Sequence, residues 1–183
     1  MSEIIVQQNI GDISGLSLVE TKQFLDNRGF FTETYNEKVF FENGLTHHFI
    51  QDNEVHNRMG VLRGFHFNQI RPQAKLVRVL SGKIFDVVID MRKNSATFKK
   101  KFWIELSGDN RLQLYIPEGF AHAYLALTDA VVLFKVTTHY IPGDEIGFAW
   151  NSKEFGIPWP KLAMGYVLNE KDRLNPDYSK IIC

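Results

Sequence analysis

Four ionisable side chains sit in stretches of sequence otherwise fit for burial: His66 in "GVLRGFHF" (60–67), Lys75 at the head of "KLVRVL", His122 in "GFAHAY" and Lys135 in "VVLFKV". Burying a lone lysine is costly unless it is paired or used. A histidine can take or give a proton near neutral pH. Each residue alone reads most simply as a rim or satisfied structural group. Four on successive strands are better explained together, because the inward side chains of a barrel converge on one cavity. The first stretch adds a conflict of pattern. Alternation along a strand with one wet side puts Val61, Phe65 and Phe67 on one face and Leu62 and His66 on the other. Arg63 then falls among the phenylalanines.

Other chemistries fit poorly. The remaining histidines are His47, His48, His56 and His139. Barrel metal sites use two histidines one residue apart, with a carboxylate and a further histidine nearby. Two residues after His66 stands Asn68, and His47 and His48, if extended, point to opposite faces. No resident metal is expected. A glycine-rich phosphate loop and a G-x-S-x-G elbow are both absent. Lys+Arg and Asp+Glu each count 21, so the formal net charge is zero. That balance disfavours a bulk grip on nucleic acid, but leaves room for a few arginines around a small phosphorylated ligand.

The single cysteine, Cys183, stands at the chain end and reads as a loose terminal residue. No disulfide framework is possible, which suits a reducing cytoplasm. The start, "MSEIIVQQNIGDISG", lacks the basic and apolar regions of a signal peptide. No apolar run approaches the roughly 20 residues needed to span a bilayer. A cytoplasmic protein with no membrane partner is expected.

The elements that must position the ionisable groups are mostly strands. At 183 residues and 44% hydrophobic, the chain is expected to form a single domain over 1–183. "KLVRVL" and "KIFDVVIDM" read as a hairpin joined by Ser81-Gly82. "KFWIEL", "LQLYIP", "FAHAYLAL" and "VVLFKVTTHYIP" follow, separated by short turns. "EKVFFENGL" (37–45) is the best helix, with Gly44 as its stop, and the polar tail "NEKDRLNPDYSK" holds at most a short turn. The fold class is all-β, an antiparallel sandwich or barrel of about ten strands with a few short helices.

Several motifs then occur in a characteristic order: "DNRGFFTE" (26–33), "QDN" (51–53), "GVLRGFHF" (60–67), "KLVRVLSGKIFDVVIDMR" (75–92), "YIPEGFAHAY" (115–124) and "NEKDR" (169–173). From about residue 15 to 178 the chain resembles the cofactor-independent epimerases of nucleotide-linked 4-keto-6-deoxy sugars, the dTDP-4-dehydrorhamnose 3,5-epimerase family. The resemblance implies a cupin-like β-jelly roll that works as a homodimer, with neither cofactor nor metal, on a nucleoside-diphosphate 4-keto-6-deoxyhexose. A ketone at C4 acidifies the C–H bonds at C3 and C5. The enzyme removes such a proton and returns one on the opposite face. That takes a base, a stabiliser for the enolate oxygen and a proton donor across the ring.

By the same resemblance His66 is the base, Asp172 its partner and Lys75 the cation beside the C4 oxygen. His122 lines the pocket. Arg28 and Arg63 grip the diphosphate, for which forked guanidinium groups are suited. Glu33, Gln51 and Asn53 contact base, sugar and surrounding loops, Tyr140 lies near the nucleotide, and Lys171 joins the binding set. The "DxRG" strand would cross to the partner subunit, so that Arg28 and Glu33 complete the neighbour's site.

The chain also departs from the family pattern. Where the family has a tyrosine as proton donor in a "YK" pair, this chain has Phe134-Lys135, one residue closer to His122. Val55 and Asn57 stand at the serine positions of the loop after "QDN", and "HFNQIRPQAK" is one residue shorter than usual, with "HFN" for "HYQ". These changes surround the sugar and nucleotide. They point to inversion at C3 rather than at C3 and C5 together, with water, Lys75, Tyr124 or Tyr140 supplying the second proton. The alternatives are a full 3,5-epimerase making dTDP-4-keto-rhamnose, a non-catalytic nucleotide-sugar binding cupin, and a metal-dependent cupin oxygenase or isomerase. dTDP is the default nucleotide, with CDP and GDP open. The product would be a deoxyhexose for O-antigen lipopolysaccharide or a glycosylated metabolite. Finally, Arg63 and His66 lie three residues apart and cannot share a face of a regular strand. If both reach one ligand, a bulge or twist is expected near Gly64.

Overall fold

The structure, a computed structural model, describes residues 4–181, so Cys183 lies outside the described residues. In chain order the strands are β1 (Ile4–Gln8), β2 (Ser17–Thr21), β3 (Phe24–Asp26), β4 (Gly29–Phe31), β5 (Gln51–Asn57), β6 (Leu62–Asn68), β7 (Lys75–Ser81), β8 (Lys83–Asp90), β9 (Lys101–Ser107), β10 (Gln113–Ile116), β11 (Phe120–Ala126), β12 (Ala130–Val136) and β13 (Glu145–Gly147). Two helices accompany them, α1 (Glu37–Glu42) and α2 (Glu170–Leu174). The strands beyond the expected ten include β3, β4 and β13, three residues each and too short to show a period.

One sheet has six strands in the order β1-β2-β10-β7-β12-β5, the other five in the order β13-β6-β11-β8-β9, and all their neighbours pair antiparallel. From β5 to β8 the chain changes sheet at every strand, and it does so again from β9 to β13. This is a β-jelly roll. The alternation corrects the expected Ser81-Gly82 hairpin: β7 and β8 belong to different sheets, and the turn is a corner between them. Gly82 has φ +76°, and a Cβ there would fall 2.0 Å from the Asp129 carbonyl oxygen on the neighbouring corner. Only glycine fits so close an approach.

Apolar side chains fill three layers. Between the sheets lie Val77, Val79, Ile84, Val88, Leu114 and Val132, among others. The outer face of the five-stranded sheet carries Phe65, Phe67, Val87 and Ile89, covered by Phe148, Phe155 and Tyr178 of the C-terminal segment. The outer face of the six-stranded sheet is covered at Val19, Leu76 and Tyr115 by Phe40 and Leu45. Strands of the five-stranded sheet are thus buried on both faces, which explains why "FAHAYLA" is buried at every position and shows no alternation. Helix α1 matches its expectation. Asn36 caps it by accepting from the Val39 N–H, and Gly44, at φ +82°, ends it by donating to the Phe41 carbonyl. β3 and β4 pair only with each other, and Phe24, Leu25, Phe30 and Phe31 on this hairpin are exposed.

Candidate active site

A cavity of about 260 Å³ opens between the two sheets. From the six-stranded wall, β5 contributes Gln51, Asn53 and Val55, β7 contributes Lys75, and β12 contributes Phe134. From the five-stranded wall, β6 contributes Arg63 and His66, β11 contributes His122 and Tyr124, and β13 contributes Glu145. Tyr140, on the connection after β12, lines the cavity while 65% exposed. Most of the expected residues therefore converge.

The conflict in "GVLRGFHF" resolves at Gly64. Its φ is +102°, and the β11–β6 register shifts between His122 and Tyr124. A Cβ on Gly64 would fall 2.5 Å from the His122 carbonyl oxygen, so the backbone approach itself requires glycine. The irregularity turns Arg63 to the cavity side with His66, whereas Phe65 and Phe67 pack into the outer layer. Arg63 is not on the phenylalanine face that strict alternation assigned to it.

His66 is held by Asp172. Helix α2 brings that carboxylate in, with Asn169 capping the helix by accepting from the Asp172 N–H at 2.6 Å. His66 Nε2 lies 2.5 Å from Asp172 Oδ1, and Asp172 Oδ2 accepts from the Gly64 N–H at 3.2 Å. Burial pushes the Asp172 carboxyl up, but the His66 hydrogen bond and charge, the Gly64 N–H and the Lys171 ammonium together hold it below the ordinary value. An ionised carboxylate only accepts, so in the neutral imidazole the proton sits on Nε2 and the lone pair on Nδ1. Nδ1 has Glu145 Oε1 at 3.6 Å, and that oxygen accepts from Lys171 Nζ at 2.6 Å. Lys171 thus sits at the rim and holds Glu145. The bond to Glu145 raises the Lys171 ammonium above its usual value.

A second pair stands beside the first. His122 faces His66 across the β6–β11 ladder, and its Nε2 donates to both oxygens of Asp86, at 3.0 and 2.9 Å. On the opposite wall, burial pushes the Lys75 amine below its usual value, and the charges of Glu145 and Asp86 work against that. Further along, Asn57 Oδ1 accepts from Arg63 Nε at 2.9 Å and from the Tyr124 hydroxyl at 3.3 Å. Val55 and Asn57 belong to strand β5, not to a loop.

Three expected residues do not join. Lys135 is paired with Asp52 at 2.9 Å and lies 5.0 Å from the Tyr35 ring centroid, away from the cavity, because its neighbour Phe134 takes the inward position on β12. Arg28 is exposed at the β3–β4 turn and bonded to Asp26 at 2.6 Å. Glu33 accepts from Asn36 at 3.1 Å through one oxygen, and its other oxygen is buried with no hydrogen-bond partner among the described residues. Neither Arg28 nor Glu33 lines this chain's own cavity. Asp86 and Glu145, by contrast, take part in the site without having been singled out for it, and Asn57, noted only as a departure from the family's serine, holds Arg63 and Tyr124. The signal for Asp86 was an acid inside the apolar run "KIFDVVIDM"; for Glu145 the sequence carried none.

The described residues contain no group of three or more His, Cys, Asp or Glu placed to hold a metal ion, and no helix long and apolar enough to cross a membrane. The arrangement offers an imidazole on the wall of a largely apolar cavity, with a lysine on the facing wall.

Known proteins share this architecture. A family model described as dTDP-4-dehydrorhamnose 3,5-epimerase matches residues 11–180. The dTDP-4-dehydrorhamnose 3,5-epimerase of Methanothermobacter thermautotrophicus is 46% identical over 163 residues, covering 88% of each chain. The crystal structure of dTDP-6-deoxy-D-glucose-3,5-epimerase from Legionella pneumophila, in complex with dTDP-4-keto-L-rhamnose, superposes with a TM-score of 0.92 at 36% identity, covering 98% of this chain and 95% of that one. The dTDP-4-dehydrorhamnose 3,5-epimerase of Bacillus anthracis, with TDP and pyrophosphate bound, gives a TM-score of 0.87 at 41% identity, covering 96% and 99%. The chain is an epimerase and belongs to the dTDP-4-dehydrorhamnose 3,5-epimerase family.

Proposed function

We propose that this epimerase inverts both C3 and C5 of a dTDP-4-keto-6-deoxyhexose, by removing a proton next to the C4 ketone. Phe134 pointed to C3 alone. That reading is narrower than the names of the relatives, which are 3,5-epimerases at 36–46% identity over most of the chain. The wider reading replaces it. The nucleotide is assigned from the ligands of the solved relatives, dTDP-4-keto-L-rhamnose in one and TDP in another.

The observation that carries the mechanism is the His66 environment. Nε2 is tied to a buried carboxylate, and Nδ1 opens to the cavity with Glu145 beside it. His66 Nδ1 takes the proton from carbon, and Asp172 steadies the imidazolium that forms. Lys75, on the facing wall, stabilises the negative charge growing on the C4 oxygen. Arg63 binds the diphosphate, His122, Gln51 and Asn53 line the substrate, Tyr140 and Lys171 frame the nucleotide at the rim, and the reaction takes place in the cytoplasm.

The test is incubation with the 4-keto-6-deoxy nucleotide sugar in heavy water. Deuterium should enter at C3 and C5, with inversion at both, and His66→Ala should abolish exchange. Exchange confined to C3 would bring back the narrower reading. Undiminished exchange in the variant would remove His66 as base.

A homodimer completes this proposal, with Arg28 and Glu33 entering the partner's site. The exposed apolar hairpin β3–β4, the distance of Arg28 from its own cavity and the unpartnered Glu33 oxygen all support it. Arg28→Ala and His66→Ala chains, refolded together, should recover activity in mixed dimers, since one of the two sites in each would then be intact. Absence of recovery would mean that Arg28 serves its own chain.

A further inference from the structure

Inversion needs a proton delivered to the ring face opposite the one that lost it. His66 stands on the five-stranded wall, so the donor must act from the six-stranded side. That side presents the carboxamides of Gln51 and Asn53 and the hydrocarbon side chains of Val55, Val77, Val132, Phe134 and Val136, none of which has an acidic proton to give, and Lys75, whose charge the C4 oxygen requires. Two phenols line the cavity. Tyr140 is 65% exposed on a connection at the mouth. Tyr124 is buried, starts from β11 beside His122, and its hydroxyl bonds to Asn57 of β5, the edge strand of the six-stranded sheet. Of the two phenols it is the one whose hydroxyl is tied to the sheet opposite the base.

We propose that Tyr124 is the catalytic acid of this chain: its hydroxyl returns the proton to C3 and C5 on the face turned away from His66. The inference rests on the epimerase reading above and goes beyond it. The hydroxyl is held loosely. At 3.3 Å its bond to Asn57 Oδ1 is longer than an ordinary O–H···O bond, and the same oxygen already accepts from Arg63 Nε at 2.9 Å. The phenolate left behind has the Arg63 guanidinium beside it. Burial pushes the Tyr124 phenol up to about 12, with the Arg63 charge and the Asn57 hydrogen bond acting against that, so the proton is in place at neutral pH.

The step balances. The C–H pair moves into the enolate as His66 takes the proton. The enolate carbon then takes the proton of Tyr124, whose O–H pair stays on oxygen. Water reprotonates the phenolate and accepts the imidazolium proton. In a D-gluco ring the C3 and C5 hydrogens lie on one face, so one base and one acid can serve both carbons in turn.

The experiment separates exchange from inversion in heavy water, for the wild type, Tyr124→Phe, Tyr140→Phe and the double variant Tyr124→Phe/Phe134→Tyr. In Tyr124→Phe, exchange at C3 and C5 should persist with retained configuration, because deuterated His66 returns the label to the same face. Inversion should fall about 10²- to 10³-fold. The double variant, with a phenol restored to the six-stranded wall, should regain part of the inversion. A packing role for Tyr124 would lower exchange and inversion together, and that outcome overturns the proposal, as does undiminished inversion or the same split appearing in Tyr140→Phe instead. A wild type that catalyses neither exchange nor inversion would refute the epimerase reading itself, whatever Tyr124 does.

Discussion

His66 and His122 face each other across one strand pair, and each sets its Nε2 against a carboxylate: His66 against Asp172 at 2.5 Å, His122 against Asp86 at 2.9 and 3.0 Å. The carboxylates have different origins. Asp172 arrives on a short capped helix from the C-terminal segment, while Asp86 belongs to β8, the strand next to His122's own. Asp172 leaves one oxygen for the Gly64 N–H, whereas Asp86 spends both on the imidazole. His66 is twice as exposed as His122, 20% against 10%, and has Glu145 beside its second nitrogen. Two identical residue pairs thus have unequal freedom. Under the proposed reaction the base is the histidine with an open nitrogen, and the other is a fixed polar wall.

His66→Ala puts the largest effect on this difference, a loss of about 10⁴-fold in solvent exchange, against a much smaller loss for His122→Ala. Equal losses would break the comparison. Asp172→Asn comes next. An amide in place of the carboxylate favours the wrong imidazole tautomer, and kcat should fall about 10³-fold with little change in KM. Asp86→Asn disturbs only the orientation of the wall, and steady-state kinetics should lose less than about 10²-fold. A larger loss there than in Asp172→Asn would exchange the two roles.

The same contrast explains what the sequence could reveal. His66, Lys75 and His122 stood out because ionisable groups in apolar strands need a reason. Lys135 met the same criterion and points outward to Asp52, because linear pattern does not say which face of β12 is inside. Strict alternation put Arg63 on the wrong face, but Gly64 marked the place where the alternation resets, and the irregularity expected there brings Arg63 to the cavity. The Ser81-Gly82 turn reads alike whether the chain folds back within a sheet or crosses to the other. Asp86 went unremarked inside an apolar run, and Glu145 lies on a strand too short to recognise. Contacts between sheets are made by tertiary closure, and no local period encodes them.

Lys75 sharpens the contrast from the facing wall. Burial lowers its amine below the usual value, so its charge is lost at lower pH than that of a free lysine. The ammonium is present below the folded value, and kcat should fall as pH rises through it. Lys75→Arg, whose guanidinium stays protonated, should move that alkaline limb upward in a pH–rate profile. A limb that stays put would assign it to another group.

The smallest expected effect on activity belongs to the second buried acid of β8. Asp90, four residues after Asp86, faces no histidine. It accepts from Arg92 Nε at 2.8 Å, Ser95 Oγ at 2.8 Å and Thr97 Oγ1 at 2.6 Å, and so ties down the loop that follows the strand. Burial pushes its carboxyl up, yet these bonds outweigh burial and bring it down to about 2 from 3.8. A carboxyl lowered on folding contributes stability that is fully present above 3.8 and is lost as pH falls toward about 2. Asp90→Asn should therefore cost about 2 kcal/mol at neutral pH, leave kcat unchanged, and approach the wild type in thermal denaturation as the pH drops. A gap that stays constant with pH would mean that Asp90 acts through packing alone. A drop in kcat would mean that β8 sends its carboxylates to the cavity as a pair, and that the division between working and structural acids lies elsewhere.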